Sequence, residues 1–137
     1  MNARDIMTPM PRTVNARETV EVAIEALRWL DARHLPVVDD DGVLVGMLSD
    51  RDLRSLMPPP GLSEDEVEER LRAAQIEPIE AVMNTSPISV EPEADLREVV
   101  EPMLEHRVGA IPVVDGDLHP IGIVSYIDIL RATYAAR

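Results

Sequence analysis

The heptapeptide Gly46-Met47-Leu48-Ser49-Asp50-Arg51-Asp52 returns 76 residues later as Gly122-Ile123-Val124-Ser125-Tyr126-Ile127-Asp128. Both copies read glycine, two apolar residues, serine, two variable residues and aspartate. Each copy follows a short apolar run and precedes a stretch with apolar residues at helical spacing. The pattern therefore predicts a strand that runs directly into a helix, with the serine at the junction.

The repeat extends over most of the chain. With the same shift of 76 positions, Met7 falls on Met83 and Pro36-Val37-Val38-Asp39 falls on Pro112-Val113-Val114-Asp115, without a gap. We therefore predict two copies of one supersecondary unit, over residues 1–57 and 77–137, with a linker over 58–76. Two units are too few for a solenoid, so we expect them to pack face to face as one compact α+β module.

Each copy is predicted to run strand, helix, strand, strand, helix after a short opening turn. The first strands are expected at Thr13-Val14 and Ile88-Ser89-Val90. The next helices follow caps at Thr19 and Asp95, and a hairpin comes after each of them. Their predicted apolar faces are Val20, Ala23, Ile24, Leu27 and Leu30 in copy one, and Leu96, Val99, Val100, Met103 and Leu104 in copy two.

The linker begins with the helix-breaking run Pro58-Pro59-Pro60-Gly61. Ser63 and Glu66 then form a capping-box pattern, and an apolar stripe of Val67, Leu71 and Ala74 indicates an amphipathic helix. Its many carboxylates are interpreted as a solvated face; an acidic docking surface for a partner is the alternative.

Composition excludes several classes of protein. With no cysteine there is neither a disulfide framework nor a thiolate metal site, and with no Phe, two Tyr and one Trp the core must be aliphatic. The net charge of −13 argues against nonspecific binding to nucleic acid or to anionic membranes. No apolar run is long enough to span a membrane, and no signal segment is visible, which predicts a soluble cytoplasmic protein.

The doubled motif has two interpretations that share one geometry. Serine with aspartate three residues later is close to a capping box, in which both residues serve only the helix start. A helix start with a serine hydroxyl can also bind an anion, and a nearby carboxylate can accept hydrogen bonds from the vicinal hydroxyls of a ribose. The glycine would then allow close backbone approach. A nucleotide suits this combination, and capping does not exclude it.

The ordered set of motifs resembles a tandem pair of CBS domains, the arrangement called a Bateman module. The matching pieces of copy one are Asp5-Ile6-Met7-Thr8, Thr13-Val14, His34 to Asp39 and Gly46 to Leu53. Copy two matches through Ala81-Val82-Met83, Ala110 to Asp115 and Gly122 to Asp128. The resemblance implies two clefts between the copies that bind AMP, ADP, ATP or adenosyl compounds as regulatory ligands, with no required cofactor.

By position, the resemblance assigns Asp52 and Asp128 to ribose hydroxyls, and Ser49 and Ser125 to phosphate. The stretches before the first strands would wall the adenine. The whole predicted site comprises Met10, Pro11, Thr13, Arg33, His34, Pro36, Ser49, Arg51 and Asp52 for copy one, and Pro87, Ile88, Ser89, Ile111, Ser125, Tyr126 and Asp128 for copy two. Because Arg33, His34 and Arg51 are replaced by Gly109, Ala110 and Ile127, we expect the Asp52 site to bind phosphate better.

Other chemistries find little support in the sequence. His34, His106 and His119 lack metal-ligand spacing, and the turn Asp39-Asp40-Asp41-Gly42 lacks the rest of a calcium loop, so no metal site is predicted. No nucleophile–base pair is visible, which argues against catalysis.

Three hypotheses follow from these readings. The first is an adenylate-sensing regulatory module, expected as a homodimer, that acts on a separate effector protein. The second is a ligand-independent dimerisation scaffold, and the third is a sensor of S-adenosylmethionine or of a cyclic dinucleotide.

Overall fold

The computed structural model describes residues 1–30 and 33–135, with the backbone alone at Trp29, Leu30 and Ala135. The elements are, in chain order, α1 (Ala3–Ile6), β1 (Thr8–Pro9), β2 (Val14–Asn15), α2 (Val20–Leu30), β3 (His34–Val38), β4 (Leu44–Ser49), α3 (Asp50–Arg54), α4 (Glu64–Gln75), a 3-10 turn (Ile79–Ala81), α5 (Leu96–His106), β5 (Ala110–Val114), β6 (Pro120–Ser125) and α6 (Tyr126–Ala135). Two small three-stranded sheets flanked by helices confirm the predicted α+β class. No described helix is both long and apolar enough to cross a membrane.

The chain forms two compact units that do not coincide with the two sequence repeats. Unit 1 comprises Met1–Pro11, Asp41–Leu44 and Pro87–Arg137, and unit 2 comprises Arg12–Asp40 and Val45–Ser86. The opening segment of copy one therefore belongs to the same unit as the body of copy two. The tip of the first hairpin joins that unit as well, because the Leu44 N–H donates to the Leu118 carbonyl at 2.9 Å.

Unit 1 is built on the antiparallel sheet β1-β6-β5. Its core is aliphatic, as the composition predicted, and its buried cluster comprises Ala3, Ala94, Val99, Met103, Ile111, Val113 and Val124. The capping box of Asp95 and Glu98 at the start of α5 is confirmed. Leu104, predicted on the apolar face of that helix, is instead 73% exposed.

Unit 2 is built on the sheet β2-β3-β4, in which β2 pairs in parallel with β3. Helix α2 begins at Val20, directly after Thr19, and buries Val20, Ala23 and Leu27 of the predicted apolar face. The Leu30 side chain of that prediction lies outside the described residues. The buried cluster of the unit is Val14, Ala16, Ala23, Ala26, Leu27, Leu35, Val37, Leu48 and Ile79.

The opening segments of the two repeats are exchanged reciprocally. In unit 1, the start of copy one pairs with copy two: the Ala3 N–H donates to the Ala94 carbonyl at 2.8 Å, and Thr8 lies opposite Ile123. In unit 2, the start of copy two makes the equivalent contacts with copy one. There the Ile79 N–H donates to the Glu18 carbonyl at 2.8 Å, and Met47 is bridged to Asn84. Each of these residues lies 76 positions from its counterpart, so the exchange obeys the sequence repeat.

The strand predicted at Ile88-Ser89-Val90 is wrong, because only an isolated bridge between Val90 and Val113 forms there. In copy one the parallel ladder includes a bond from the Ala16 N–H to the Val38 carbonyl at 2.9 Å. The residue equivalent to Ala16 is Pro92, which has no N–H to donate. The ladder of copy two therefore stops after one bridge.

Helix α4 forms in the linker as predicted, with the capping box of Ser63 and Glu66 in place. Its predicted apolar stripe is only partly covered. Val67 and Ala74 are half-buried, and Leu71 is 36% exposed. The helix buries no residue fully, so its carboxylates lie in a largely solvated environment.

Candidate functional site

The first heptapeptide folds as the predicted strand–helix junction, at the point where β4 runs into α3. Ser49 is the N-cap, and its hydroxyl oxygen accepts the Asp52 N–H at 3.2 Å. In return, the Asp52 Oδ2 atom accepts the Ser49 N–H at 2.9 Å and the Ser49 hydroxyl at 3.1 Å. The capping interpretation is thus confirmed for copy one.

The second heptapeptide repeats this geometry where β6 runs into α6. Asp128 Oδ2 accepts the Ser125 N–H at 2.8 Å and the Ser125 hydroxyl at 3.0 Å, and the Asp128 N–H donates back to the serine oxygen at 3.3 Å. Capping uses the same single oxygen of each carboxylate. Within residues 1–30 and 33–135, the other oxygen, Oδ1, of Asp52 and of Asp128 accepts no hydrogen bond.

The polar groups around each serine are more fully used than the sequence suggested. Each serine hydroxyl already donates its proton to the aspartate, so donation to a phosphate would require the hydroxyl to turn away. The first helical N–H of each motif is also paired: that of Asp50 donates to the Arg33 carbonyl at 3.0 Å, and that of Tyr126 to the Gly109 carbonyl at 3.1 Å. Among these groups of the described residues, the Oδ1 atom of the aspartate therefore needs the least rearrangement to accept a hydrogen bond from a ligand.

The glycine of each heptapeptide serves a different purpose from the predicted approach to a ligand. A Cβ added at Gly46 would lie 2.9 Å from the Asn84 carbonyl oxygen and 3.0 Å from Met83 Cε. At Gly122 it would lie 2.8 Å from Met7 Cγ. The space above each glycine is thus filled by the methionine of the exchanged opening segment. The missing Cβ is required for internal packing.

The first motif has basic side chains at three positions whose equivalents in the second motif are uncharged. Because the Arg33 carbonyl accepts the Asp50 N–H, the turn before β3 is held against the start of α3, and His34 follows directly. Arg33 and Arg51 are exposed and His34 is half-buried. The equivalent positions of the second motif are Gly109, Ala110 and Ile127, so no cation replaces them. The two motifs therefore differ in these three side chains, and stronger phosphate binding at Asp52 stays a prediction.

Burial of its imidazole lowers the pKa of His34 below the ordinary value of 6.5, and the nearby carboxylates of Asp50 and Asp52 oppose this shift. The protonation of His34 is therefore coupled electrostatically to the carboxylates of the motif.

The Ser49 hydroxyl donates its hydrogen bond to a carboxylate instead of to an imidazole. That arrangement does not activate a serine as a nucleophile.

The pKa of His34 predicts a pH dependence of stability. Since its pKa is lower in the folded than in the unfolded state, the unfolded chain takes up a proton first as the pH falls below about 6.5. The stabilisation from neutral His34 is thus present above that pH and declines as the pH falls towards the folded pKa. Urea titrations measure the unfolding free energy of the wild type and of His34→Asn between pH 7.5 and pH 5.5, roughly the range in which histidine titrates. We expect the difference, wild type minus variant, to decrease as the pH is lowered. A difference that stays constant or increases would contradict this.

The residues predicted to wall an adenine fall into both units. Thr13 and Pro36 lie in unit 2 with Asp52, whereas Met10 and Pro11 lie in unit 1 with Asp128. Pro87, Ile88, Ser89 and Ile111 also lie in unit 1. Pro36 and Ile111 are fully buried core residues, so their side chains support the surface above them and are not exposed on it. Met10 is 89% exposed and adopts a left-handed backbone conformation with φ of 50°.

The sequence reading did not anticipate a group of potential metal ligands in the second hairpin turn. Donor atoms of Asp115, Asp117 and His119 lie within 4.8 Å of one another. The alternate spacing of these residues was the available signal. Asp115 Oδ1 accepts the N–H groups of Asp117 and His119, both at 2.9 Å, and the N–H of His119 is the main cause that lowers the pKa of Asp115. These contacts close the turn and so explain the cluster without an ion.

Comparison with known proteins assigns the chain to a family. Residues 3–58 and 79–135 each match the CBS domain model. A CBS domain-containing protein of Dictyostelium discoideum is 33% identical over 127 residues, which cover 93% of this chain and 87% of that protein. An inosine-5'-monophosphate dehydrogenase of Methanocaldococcus jannaschii is 29% identical over 119 residues, but the chain spans only 21% of that enzyme.

A solved structure gives the same fold. The crystal structure of CBSX2 in complex with AMP superposes with a TM-score of 0.80 at 29% identity, and the match covers 98% of this chain and 97% of that one. The resemblance to a pair of CBS domains is thereby confirmed.

Proposed function

Because this chain belongs to the CBS domain family, with one copy in each half of its sequence, we propose that it is a regulatory module that binds an adenine nucleotide. The observation that carries the proposal is the Oδ1 atom of Asp52 and of Asp128, which accepts no hydrogen bond from the described residues and lies beside a capping bond that orients each carboxylate. A fixed acceptor of this kind suits the hydroxyl pair of a ribose. The AMP bound by CBSX2, a protein of the same fold, supports the choice of ligand.

In this proposal the Asp52 site is the stronger one. Phosphate would be held there chiefly by Arg33 and Arg51, whose charge-assisted bonds are worth about 1.5–3 kcal/mol each. Ser49 would contribute only after its hydroxyl leaves Asp52. The Asp128 site lacks these cations and is proposed to hold an adenosine-like ligand weakly.

The signal is proposed to pass on through association with a second copy and with a separate effector protein. A ligand shifts a conformational equilibrium only by its different affinity for the two states, so a partner surface has to differ between them. We propose no catalytic role, because the serine hydroxyls of both motifs are committed to carboxylates.

A thermal-shift titration tests the proposal. Ligand at about 100 times its dissociation constant should add roughly 2.7 kcal/mol to the stability of the folded state. We therefore expect AMP, ADP or ATP to raise the melting temperature of the wild type in a saturable manner, and inosine monophosphate to serve as a control that carries the same ribose and phosphate. If S-adenosylmethionine or a cyclic dinucleotide displaces AMP in competition, the third hypothesis gains support.

A ligand-independent scaffold is the second candidate, and one observation favours it. Both capping boxes are complete without any ligand, and the serine protons are already donated. If no adenine compound changes the melting temperature, the heptapeptides act only as caps.

A further inference from the structure

Unit 2 contains a groove of about 640 Å³, which we call the linker groove, and the described residues that line it include none of the predicted site residues. Three segments form its walls: residues 55–59, which follow α3; the second half of α4 together with Glu77; and Ala81 and Val82 from the opening segment of copy two. The end of copy one, the linker and the start of copy two therefore meet at this groove.

Most of the described residues that line the linker groove are apolar. Leu56, Pro58 and Val82 are half-buried, whereas Met57 is 63% exposed. Ala73 is exposed on α4, where its small side chain leaves space above the groove. A concave surface of this size with apolar walls can accept the apolar side chains of another molecule.

The surroundings of the linker groove are acidic. Residues 55–82, which include all of its walls, contain seven carboxylates and two arginines. One of these arginines, Arg72, is paired with Glu68 at 3.6 Å. Among the described residues that line the groove, Arg70 is the one cation and Glu77 the one carboxylate. Helix α4 also ends beside the groove, and the partial negative charge of a helix C-terminus favours a cation.

This charge selects among the possible occupants. Nucleic acid and anionic membranes would be repelled by the carboxylates of α4. A second copy of the chain also has a net charge of −13, which disfavours its approach to an acidic surface. A basic protein segment with an apolar face is complementary both to the walls of the groove and to its surroundings.

We propose that the linker groove docks a basic amphipathic segment of the effector protein, with aliphatic side chains in the groove and Lys or Arg beside Glu77 and the carboxylates of α4. The groove adjoins the first nucleotide motif. Ser55, which lines the groove, donates its hydroxyl hydrogen bond to the Asp52 carbonyl at 2.5 Å. The proposal names the kind of partner for the proposed function and rests on that function.

A labelled model peptide tests the proposal. The probe is an amphipathic helix of about 14 residues, or roughly 21 Å, with leucine on one face and lysine on the other. In fluorescence anisotropy with the intact chain and no nucleotide, we expect saturable binding of this peptide. A leucine/glutamate peptide, which reverses the charge, and a glutamine/lysine peptide, which lacks the apolar face, should each bind at least about tenfold more weakly. No binding of the leucine/lysine peptide, or equal affinity for all three, would overturn the proposal.

Ala73→Arg and Gln75→Arg are a matched pair of variants on α4, because both positions are exposed and each change adds one cation. Only position 73 lines the groove. We expect Ala73→Arg to weaken binding of the leucine/lysine peptide by at least about tenfold. Gln75→Arg should weaken it by less than about threefold, as is usual for a single exposed charge. Urea denaturation checks that both variants fold.

Equal losses from the two arginine variants would overturn the proposal. So would a change in sedimentation of Ala73→Arg alone, because the groove would then be covered by a second copy. Peptide binding is measured without nucleotide, and AMP binding without peptide. If AMP raises the melting temperature and no peptide binds, the docking claim alone fails; if the leucine/lysine peptide binds as described and no adenine compound does, the proposed nucleotide function fails instead.

Discussion

Shortening Met7 to alanine is expected to lower the free energy of unfolding by about 2 kcal/mol, the lower end for truncation of a core methionine because this residue is only partly buried. Met7 packs against the core of unit 1 and lies over Gly122. Its removal should leave a cavity between the exchanged opening segment and β6. Urea denaturation followed by circular dichroism measures the loss.

The matched control is Met10→Ala, three residues further on. Met10 is 89% exposed, so its truncation should change stability by less than about 0.5 kcal/mol. Gly122→Ala alone is expected to cost about 1–3 kcal/mol through overpacking, since its Cβ would lie 2.8 Å from Met7 Cγ and 3.1 Å from Met7 Cβ. In the Met7→Ala/Gly122→Ala double variant the new methyl group fills the cavity. The double variant should therefore lose less unfolding free energy than the sum of the losses in the two single variants. Strict additivity would contradict the packing of Met7 against Gly122.

Replacement of Asp52 by asparagine is expected to weaken AMP binding by roughly tenfold to a hundredfold. A hydrogen bond to a charged group is worth about 1.5–3 kcal/mol, and 1.4 kcal/mol corresponds to a factor of ten. Asparagine keeps one carbonyl oxygen that can accept the Ser49 N–H and hydroxyl, so the capping box should survive. Isothermal titration calorimetry measures the affinity, and thermal denaturation without ligand shows whether the cap is intact.

Asp128→Asn is the internal control, because it makes the same change in the same local geometry. Since no cation stands at Gly109, Ala110 or Ile127, we expect this variant to bind AMP nearly as tightly as the wild type. Equal losses from the two substitutions would remove the proposed difference between the sites.

Local patterns predicted much of the fold. The sequence predicted the strand–helix junctions at Ser49 and Ser125 and the hairpins that precede them. It also predicted the capping boxes at Ser63 and Asp95. These features depend on residues three or four positions apart, whose spacing the sequence displays directly.

The reciprocal exchange of the opening segments could not be predicted, for a physical reason. Met7 and Met83 are both methionines, and Gly46 and Gly122 both provide room for one. Either pairing would satisfy the hydrophobic pattern, so the sequence does not state which methionine covers which glycine. The missing strand in copy two was, by contrast, detectable: Pro92 occupies the position where Ala16 donates a ladder bond.

The candidate site was predicted in its residue types and only partly in its bonding. The spacing of Ser49 and Asp52 indicated both a cap and a ligand site. It could not show that the serine hydroxyl donates its proton to the aspartate, or that the second carboxylate oxygen accepts no hydrogen bond within the described part of the chain. Which oxygen is used depends on side-chain rotamers, and these follow from packing instead of from sequence spacing.

The most direct test of the central claim is a calorimetric cycle with two ligands and two proteins. AMP and 2',3'-dideoxyadenosine monophosphate, which lacks the ribose diol, are titrated into the wild type and into Asp52→Asn. If the Asp52 carboxylate binds that diol, the wild type should prefer AMP by at least about tenfold, and the variant should bind both ligands almost equally. An equal preference for AMP in both proteins would show that the diol is recognised elsewhere, or that the carboxylate serves only the helix.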